Sequence, residues 1–264
     1  MDIEREIKRI ADECGGTLCV AVRDIENAFE LSINADDVVS SASIIKVPII
    51  VEAMRRVAAG ELSLDREYAL DDADRVRGSG VVRYLHSGAV LTLKDLLTLM
   101  IIVSDNTATN IVIDLLGTEG VNETMRSMGL TKSALQRKMY DWQAIEEGLD
   151  NICTAGEMAE LLVRIARKQA AGGEWDEMIL DILRHQQDTT RLGMFLPPEA
   201  RLANKTGSRE GVFHDCGIVS TDRFSYAISV LTREAKTPGD AQLAIARVSR
   251  CVYDAVASGA TIEP

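Results

Sequence analysis

Ser43-Ile44-Ile45-Lys46 is the one S-x-x-K in the 264-residue chain. A serine hydroxyl is a poor nucleophile at neutral pH until a neighbouring base removes its proton. Lysine serves as that base when its surroundings lower its pKa. If a helix begins at Ser43, Lys46 follows one turn on and on the same face, so the amine can reach the hydroxyl. The Ser43 amide would then lie at the positive end of the helix, where an oxyanion is stabilised. The spacing therefore points to covalent catalysis by an activated serine.

The elements needed to hold such a site can be read along the chain. Ile3, Ile7, Ile10 and Cys14 recur at helical spacing, and Gly15-Gly16 ends that helix. Strand-like runs follow at Leu18 to Val22 and Phe29 to Ile33, around a turn near Glu26-Asn27. From Ser43 to Ala59 the sequence reads as a mostly buried helix, with Pro48 tolerated near its first turn. Thr92 with Asp95 caps an apolar run, Leu96 to Val103, which Ser104-Asp105-Asn106 interrupts before a helix from Thr107 to Leu116. Thr154 with Glu157 forms a capping box for a helix to about Lys168. Beyond Pro197-Pro198 the period changes to strands at Arg201 to Thr206, His214 to Ser220 and Phe224 to Thr232, then a helix from about Asp240 to Ala257. Strands at both ends with helices between predict a two-lobed α/β fold. One antiparallel sheet, built from both termini and flanked by helices, carries an inserted all-helical lobe. The whole chain, 1–264, reads as a single domain, with an α/β lobe from 1–40 plus about 190–264 and a helical lobe over about 41–189.

Ser104-Asp105-Asn106 and Lys205-Thr206-Gly207 stand beside Ser43-x-x-Lys46 in the order S-x-x-K, S-D-N, K-T-G. In that trio the chain resembles the class A β-lactamases and penicillin-binding proteins. The likeness extends over nearly the whole chain, through SASIIKVPI, GSGVVRYL, LTLKDLLTLMIIVSDNTATN and LANKTGS. It implies a serine hydrolase that opens a β-lactam or related amide. Ser43 would be acylated, with Lys46 assisting its deprotonation and Ser104 relaying the proton to the leaving nitrogen. Asn106 would hold the substrate's side-chain amide. Lys205 would lower the pKa of Ser104 and attract the substrate carboxylate, which Thr206 would hydrogen-bond. Gly207 would complete the motif, and the amides of Ser43 and Ser208 would form the oxyanion hole.

Two departures bear on the reaction. The family's loop motif R-x-E-x-x-L-N supplies the glutamate that activates the deacylating water. Here its arginine falls on Arg137 and its glutamate on Met139, which cannot take a proton. Asp141 is the nearest candidate base, with Glu146 and Glu147 further on, so deacylation is expected to be slow unless Asp141 substitutes. The arginine that often contacts the substrate carboxylate is replaced by His214, with Arg209 close by. Arg77 and Tyr84, around Gly78-Ser79-Gly80, are candidates for the cleft mouth, and His86 and His185 read as structural. A D-alanyl peptidase or broad esterase/amidase on the same scaffold is one alternative function. A covalent β-lactam sensor that stays acylated is another.

A net charge of −12 offers no basic footprint for nucleic acid. Five scattered cysteines form no metal pattern, and the chemistry requires no cofactor or metal. No stretch is apolar for long enough to span a bilayer, and the charged start lacks the core of a signal peptide. A cytoplasmic monomer acting on a small molecule is expected from the sequence as written, or an exported mature form if a leader was trimmed.

Overall fold

The computed structural model describes residues 3–26 and 29–259. In chain order the first elements are α1 (Ile3–Cys14), β1 (Thr17–Asp24), β2 (Glu30–Ile33), β3 (Val39–Ser40) and α2 (Lys46–Ala58). Next come β4 (Glu67–Ala69), β5 (Val90–Thr92), α3 (Leu93–Ile102), α4 (Asn106–Leu116), α5 (Thr118–Ser127), α6 (Trp142–Glu146) and β6 (Ile152–Cys153). The last are α7 (Ala155–Ala166), α8 (Gly173–Arg184), β7 (Arg201–Arg209), β8 (Val212–Ser220), β9 (Ser225–Arg233) and α9 (Pro238–Ala257). The turn expected near Glu26-Asn27 runs into residues 27–28, which lie outside the described residues.

β2, β1, β9, β8 and β7 form one antiparallel sheet in that order, so the first and last strands of the chain are neighbours. Both faces of this sheet are covered, which is why β1 is apolar almost throughout rather than alternating with polar residues. Leu18, Val20 and Val22 pack with Ile7 and Ile10 of α1 and Val248 and Val252 of α9. Cys19 and Ala21, on the opposite face, join the core shared with α2, α3 and α7. The four most buried cysteines and the partly buried Cys251 are all unpaired. Among the described residues no helix is long and apolar enough to cross a membrane.

α2 is buried on nearly every side, as expected for a helix apolar all round. Its start differs from the sequence reading. Ser43 lies in a 3₁₀ turn, Ala42–Ile45, and the α-helix begins only at Lys46. Pro48 still falls in the first α-helical turn, where a missing N–H leaves no gap. Thr92 and Asp95 cap α3 reciprocally, each side chain accepting from the other's amide. At α7 the expected box is one-sided. Thr154 caps the Glu157 amide, but the Glu157 carboxylate accepts instead from the Lys132 and Ser133 amides.

Candidate active site

The lysine of S-x-x-K reaches the S-D-N loop. Lys46 Nζ donates to Ser104 O (2.8 Å), Ser104 Oγ (3.0 Å) and Asn106 Oδ1 (2.9 Å). Ser104 stands where α3 has ended and α4 has not begun, with φ +54°. A left-handed backbone is unfavourable for a residue with a Cβ, and such strain collects at functional positions. Asp105 stabilises this turn by capping α4 through the Ala108 amide and by accepting from the Val81 and Val82 amides. Gly80 packs so closely on Asp105 that a Cβ there would clash with it.

Lys46 is fully buried. Burial, and secondarily the charge of Lys205, push its pKa well below the ordinary lysine value, against a smaller opposing pull from Asp105. The neutral amine a nucleophilic serine needs is thereby favoured. Lys205 is fully buried as well and its pKa is lowered to about 8, mainly by desolvation, with Asp215 opposing. Its Nζ donates to Thr206 O at 2.6 Å.

β7 brings the K-T-G residues against the nucleophile. A Cβ on Gly207 would sit 3.1 Å from the Ser43 nitrogen and 3.2 Å from the Ile44 nitrogen, so glycine is what allows the strand this close. A cavity of about 300 Å³ opens here, lined by Ser43, Ser104, Thr206, Ser208, Ser79 and Arg191 among others. Thr206 and Ser208 alternate with Lys205 and Gly207 along the strand, which puts the first pair on the cavity face.

Sequence reasoning missed Arg191. It is 4 % exposed, and its Nη1 donates to Gly207 O (2.7 Å) and His214 O (2.5 Å) while Nη2 donates to Ser208 Oγ. Its Nε is buried without a partner. Nothing in the local run TTRLGMF marks this arginine, since its placement depends on the β7–β8 ladder.

His214 pairs with Gly207 across that ladder, but its ring is buried rather than facing the cavity. Nε2 lies 2.7 Å from Ser40 O, and Nδ1 accepts from the Thr232 amide at 3.1 Å. Burial lowers its pKa to about 4. A neutral, engaged ring cannot act as the carboxylate contact the sequence suggested, and His214 contributes its carbonyl, to Arg191. Arg209 is likewise occupied, donating to Asp150 (2.6 Å) and Ser40 Oγ (3.0 Å), and is not among the residues lining the Ser43 cavity.

The segment from Arg137 to Asp150 forms a loop closed at its neck. Arg137 pairs with Asp150 at 2.6 Å, and Asn151 exchanges hydrogen bonds with the Arg137 backbone. Asn110 of α4 grips Met139 at both backbone groups, at 2.8 and 3.0 Å. The Met139 side chain is 8 % exposed. Asp141 caps α6 through the Ala144 amide at 3.1 Å. It lines a second cavity, of about 370 Å³, rather than the one at Ser43. Arg77 lines that second cavity too, Ser79 lines the first, and Tyr84 lines neither. His86 and His185 are exposed and lie against backbone carbonyls.

The beta-lactamase enzyme family matches residues 2–256. The crystal structure of a β-lactamase from Sphaerobacter thermophilus superposes with a TM-score of 0.92 at 32 % identity, covering 100 % of this chain and 98 % of that one. A β-lactamase of Rhodobacter capsulatus is 27 % identical over 78 % of this chain and 71 % of its own. A protein of Streptomyces cacaoi named beta-lactamase regulatory protein BlaB is 25 % identical over 90 % of this chain and 91 % of its own. With Lys46 bonded to Ser104, and with Ser43, Ser104 and Thr206 on one cavity, the chain belongs to the beta-lactamase enzyme family, as a serine β-lactam hydrolase of the class A type.

Proposed function

We propose that Ser43 opens the β-lactam by acylation that is fast relative to deacylation. The reading is carried by the junction of Lys46 with Ser104 and Asn106, which joins base and proton relay in one hydrogen-bonded unit. Neutral Lys46 takes the Ser43 proton as Oγ bonds to the lactam carbonyl carbon. The oxyanion is held by the amides of Ser43 and Ser208. The C–N bond then breaks as the proton passes from Lys46 through Ser104 Oγ to the leaving nitrogen, so the proton taken from the nucleophile is returned to the product. Lys205 and Thr206 hold the substrate carboxylate, and Arg191, engaged by the carbonyls of Gly207 and His214, positions the Ser208 hydroxyl beside them. Asn106 receives the side-chain amide. The α/β lobe (1–40 plus about 190–264) and the helical lobe (about 41–189) form the two walls of this cleft. One chain supplies every group, so a monomer suffices for the reaction.

Deacylation needs a base for water. Met139 occupies the loop position held by Asn110, and the Asp141 carboxylate caps a helix beside the other cavity. General-base assistance contributes roughly 10²–10⁴-fold, and its loss leaves the ester on Ser43 long-lived. Intact mass spectrometry with a penicillin should show a persistent adduct of one substrate mass on the wild type, and none on Ser43→Ala. An adduct that never accumulates while hydrolysis proceeds would contradict slow deacylation, and an adduct on Ser43→Ala would contradict the assignment of the nucleophile. The same missing base supports a second reading, a covalent β-lactam sensor, in keeping with the regulatory name of the Streptomyces relative. Full hydrolysis of many equivalents over hours distinguishes the slow enzyme from the sensor. Release of D-alanine from an acyl-D-Ala-D-Ala peptide would instead mark a D-alanyl peptidase.

A further inference from the structure

Arg191 lines the Ser43 cavity but shows it very little of itself. The hydrogen bonds of its guanidinium end on β7 and β8. Nη1 donates to Gly207 O (2.7 Å) and His214 O (2.5 Å), and Nη2 donates to Ser208 Oγ. An Asp188 carboxylate oxygen lies 3.5 Å from Nη2. A cation withdrawn this far from water is retained where charge-assisted hydrogen bonds offset its desolvation, and here those bonds are made to the strand that carries K-T-G.

The two acceptors on β7 flank one peptide bond. Gly207 O and Ser208 N belong to the same planar unit, and in a trans peptide the carbonyl and the N–H point in opposite directions. Sharing one nitrogen with His214 O sets the Gly207 carbonyl on the β8 side of β7. β7 is the last strand of the sheet, so the Ser208 N–H is aimed off its open edge. The nucleophile stands close by, since a Cβ on Gly207 would sit 3.1 Å from the Ser43 nitrogen. The Ser208 hydroxyl, bonded to the same guanidinium, ties the unit from its other end. A cation on the carbonyl also polarises the peptide and strengthens its N–H as a donor.

The arginine is itself held from behind. Leu192, next in the chain, donates its amide to Asp215 Oδ2 at 3.1 Å, and its carbonyl accepts from Ser249 Oγ of α9 at 2.8 Å. Asn204 of β7 donates to both Asp215 oxygens, at 2.9 and 3.1 Å. The Leu192 side chain is fully buried in the core under α9. The turn that carries Arg191 is thus fixed to the sheet and to α9 before any substrate arrives.

We propose that Arg191 is a positioning residue for the oxyanion hole, orienting and polarising the Gly207–Ser208 peptide, with Asp215 and Ser249 fixing the turn that carries it. The proposal rests on the Ser43 acylation reading and adds what holds one of the two oxyanion donors in place. In this role Arg191 touches no reacting atom and acts through the Ser208 amide.

The test compares acylation rates of wild type, Arg191→Gln and Arg191→Lys with a penicillin and with its methyl ester, which has no carboxylate to bind. Arg191→Gln should slow acylation by about 10-fold or more, short of the roughly 10²–10³-fold cost of losing an oxyanion donor outright. The factor should be the same for acid and ester. Arg191→Lys keeps a cation able to donate to the Gly207 carbonyl and should recover most of the rate with both compounds; if Arg191→Gln does not fold, the acid-to-ester comparison is made on Arg191→Lys. Infrared difference spectra of the acyl-enzyme, with the lactam carbonyl isotope-labelled, should place the ester carbonyl band of Arg191→Gln at a higher wavenumber than that of wild type, because a weakened donor polarises it less. A rate loss confined to the acid would make Arg191 a carboxylate contact and overturn the proposal, as would an unmoved carbonyl band; either result leaves Ser43 acylation standing. No acylation of wild type by either compound would overturn the proposed function and this inference with it.

Discussion

Lys46 and Lys205 are both withdrawn from water, yet the two are asked to do opposite things. Lys46 must lose its charge to accept a proton, and its burial together with the neighbouring cation favours that. Lys205 must keep its charge to attract a carboxylate, and with its pKa at about 8 it does so at neutral pH but not far above. Acylation by an anionic substrate should therefore fall as pH rises through about 8, some two units earlier than an exposed lysine would dictate. A substrate whose carboxylate is esterified should not show this limb, so coincident profiles for the pair would remove Lys205 from that role. Lys46→Ala should slow acylation by roughly 10²–10⁴-fold, read as adduct formation against time. At the loop, Met139→Glu places a carboxylate where Asn110 already fixes the backbone. It should shorten the adduct's lifetime by a factor approaching the same 10²–10⁴, whereas Asp141→Asn should leave that lifetime unchanged. A longer-lived adduct in Asp141→Asn would make Asp141 the base after all.

At the scale of elements, β7 and β8 carry a buried pair of titratable groups whose effects on stability oppose each other. His214 is buried neutral with its pKa lowered to about 4 by desolvation. An unfolded histidine binds a proton below about 6.5, so between those values the unfolded state holds more protons and His214 makes stability rise with pH. Asp215, next along β8, is raised to about 7 by desolvation, against the hydrogen bond from Asn204. The folded state then holds the extra proton from about pH 3.8 to 7, and Asp215 makes stability fall with rising pH over that interval. The two contributions come to about 3 and about 4 kcal/mol, of opposite sign and overlapping range. In the wild type each contribution thus masks the other between about pH 4 and 6.5. Asp215→Asn should expose a loss of stability on acidification, and His214→Gln the reverse slope; denaturant titrations at several pH values read both. Parallel curves for the two variants would contradict the assignment. Gly207 belongs to the same scale. Gly207→Ala should slow acylation and lower Tm together, because the added methyl presses on the Ser43 and Ile44 nitrogens and on the buried Ile44 side chain.

For the molecule as a whole, the cleft lies where the sheet edge meets the helices, and the loop from Arg137 to Asp150 is attached to both. Asp150 receives Arg137 from the loop's own start and Arg209 from the end of β7, and Ser40 of β3 shares Arg209. Partial burial pushes the Asp150 pKa up, but the Ser40 hydroxyl and then Arg137 and Arg209 outweigh it and hold the carboxyl below the usual range. Asp150→Ala should open the neck of the loop and admit protease at Lys138 under conditions where the wild type resists. The Tm should fall less than the cleavage rate rises, because the core on both faces of the sheet is untouched. Equal resistance of both proteins would mean that Asn151 and Asn110 suffice to hold the loop.

Ser43, Lys46, Ser104 and Lys205 were legible as candidates because each stands in a short motif and the three motifs follow one another in a family's order. A lysine one turn after a serine shares its face, and a polar triplet ending an apolar helix stands at an element boundary. The covered sheet was legible from strands at both ends of the chain, and α1 and α3 from their apolar spacing. What the sequence could not supply is set by pairing across distance. His214 was a candidate because it falls at a counted distance from Lys205, but the β7–β8 register and the Ser40 carbonyl turn its ring inward. Arg209 is claimed by a carboxylate 59 residues earlier in the chain, and Asp141 is spent on the first turn of α6. Arg191, silent in sequence, lies beside Ser208 because the carbonyls of Gly207 and His214 meet there only once two strands have paired. Local periodicity and spacing act over a few residues, so the sequence alone made Ser43 and Lys46 the candidates for nucleophile and base. Which arginine lines the cavity at Ser43 depends on pairings made across distance, and only the assembled tertiary structure decides that.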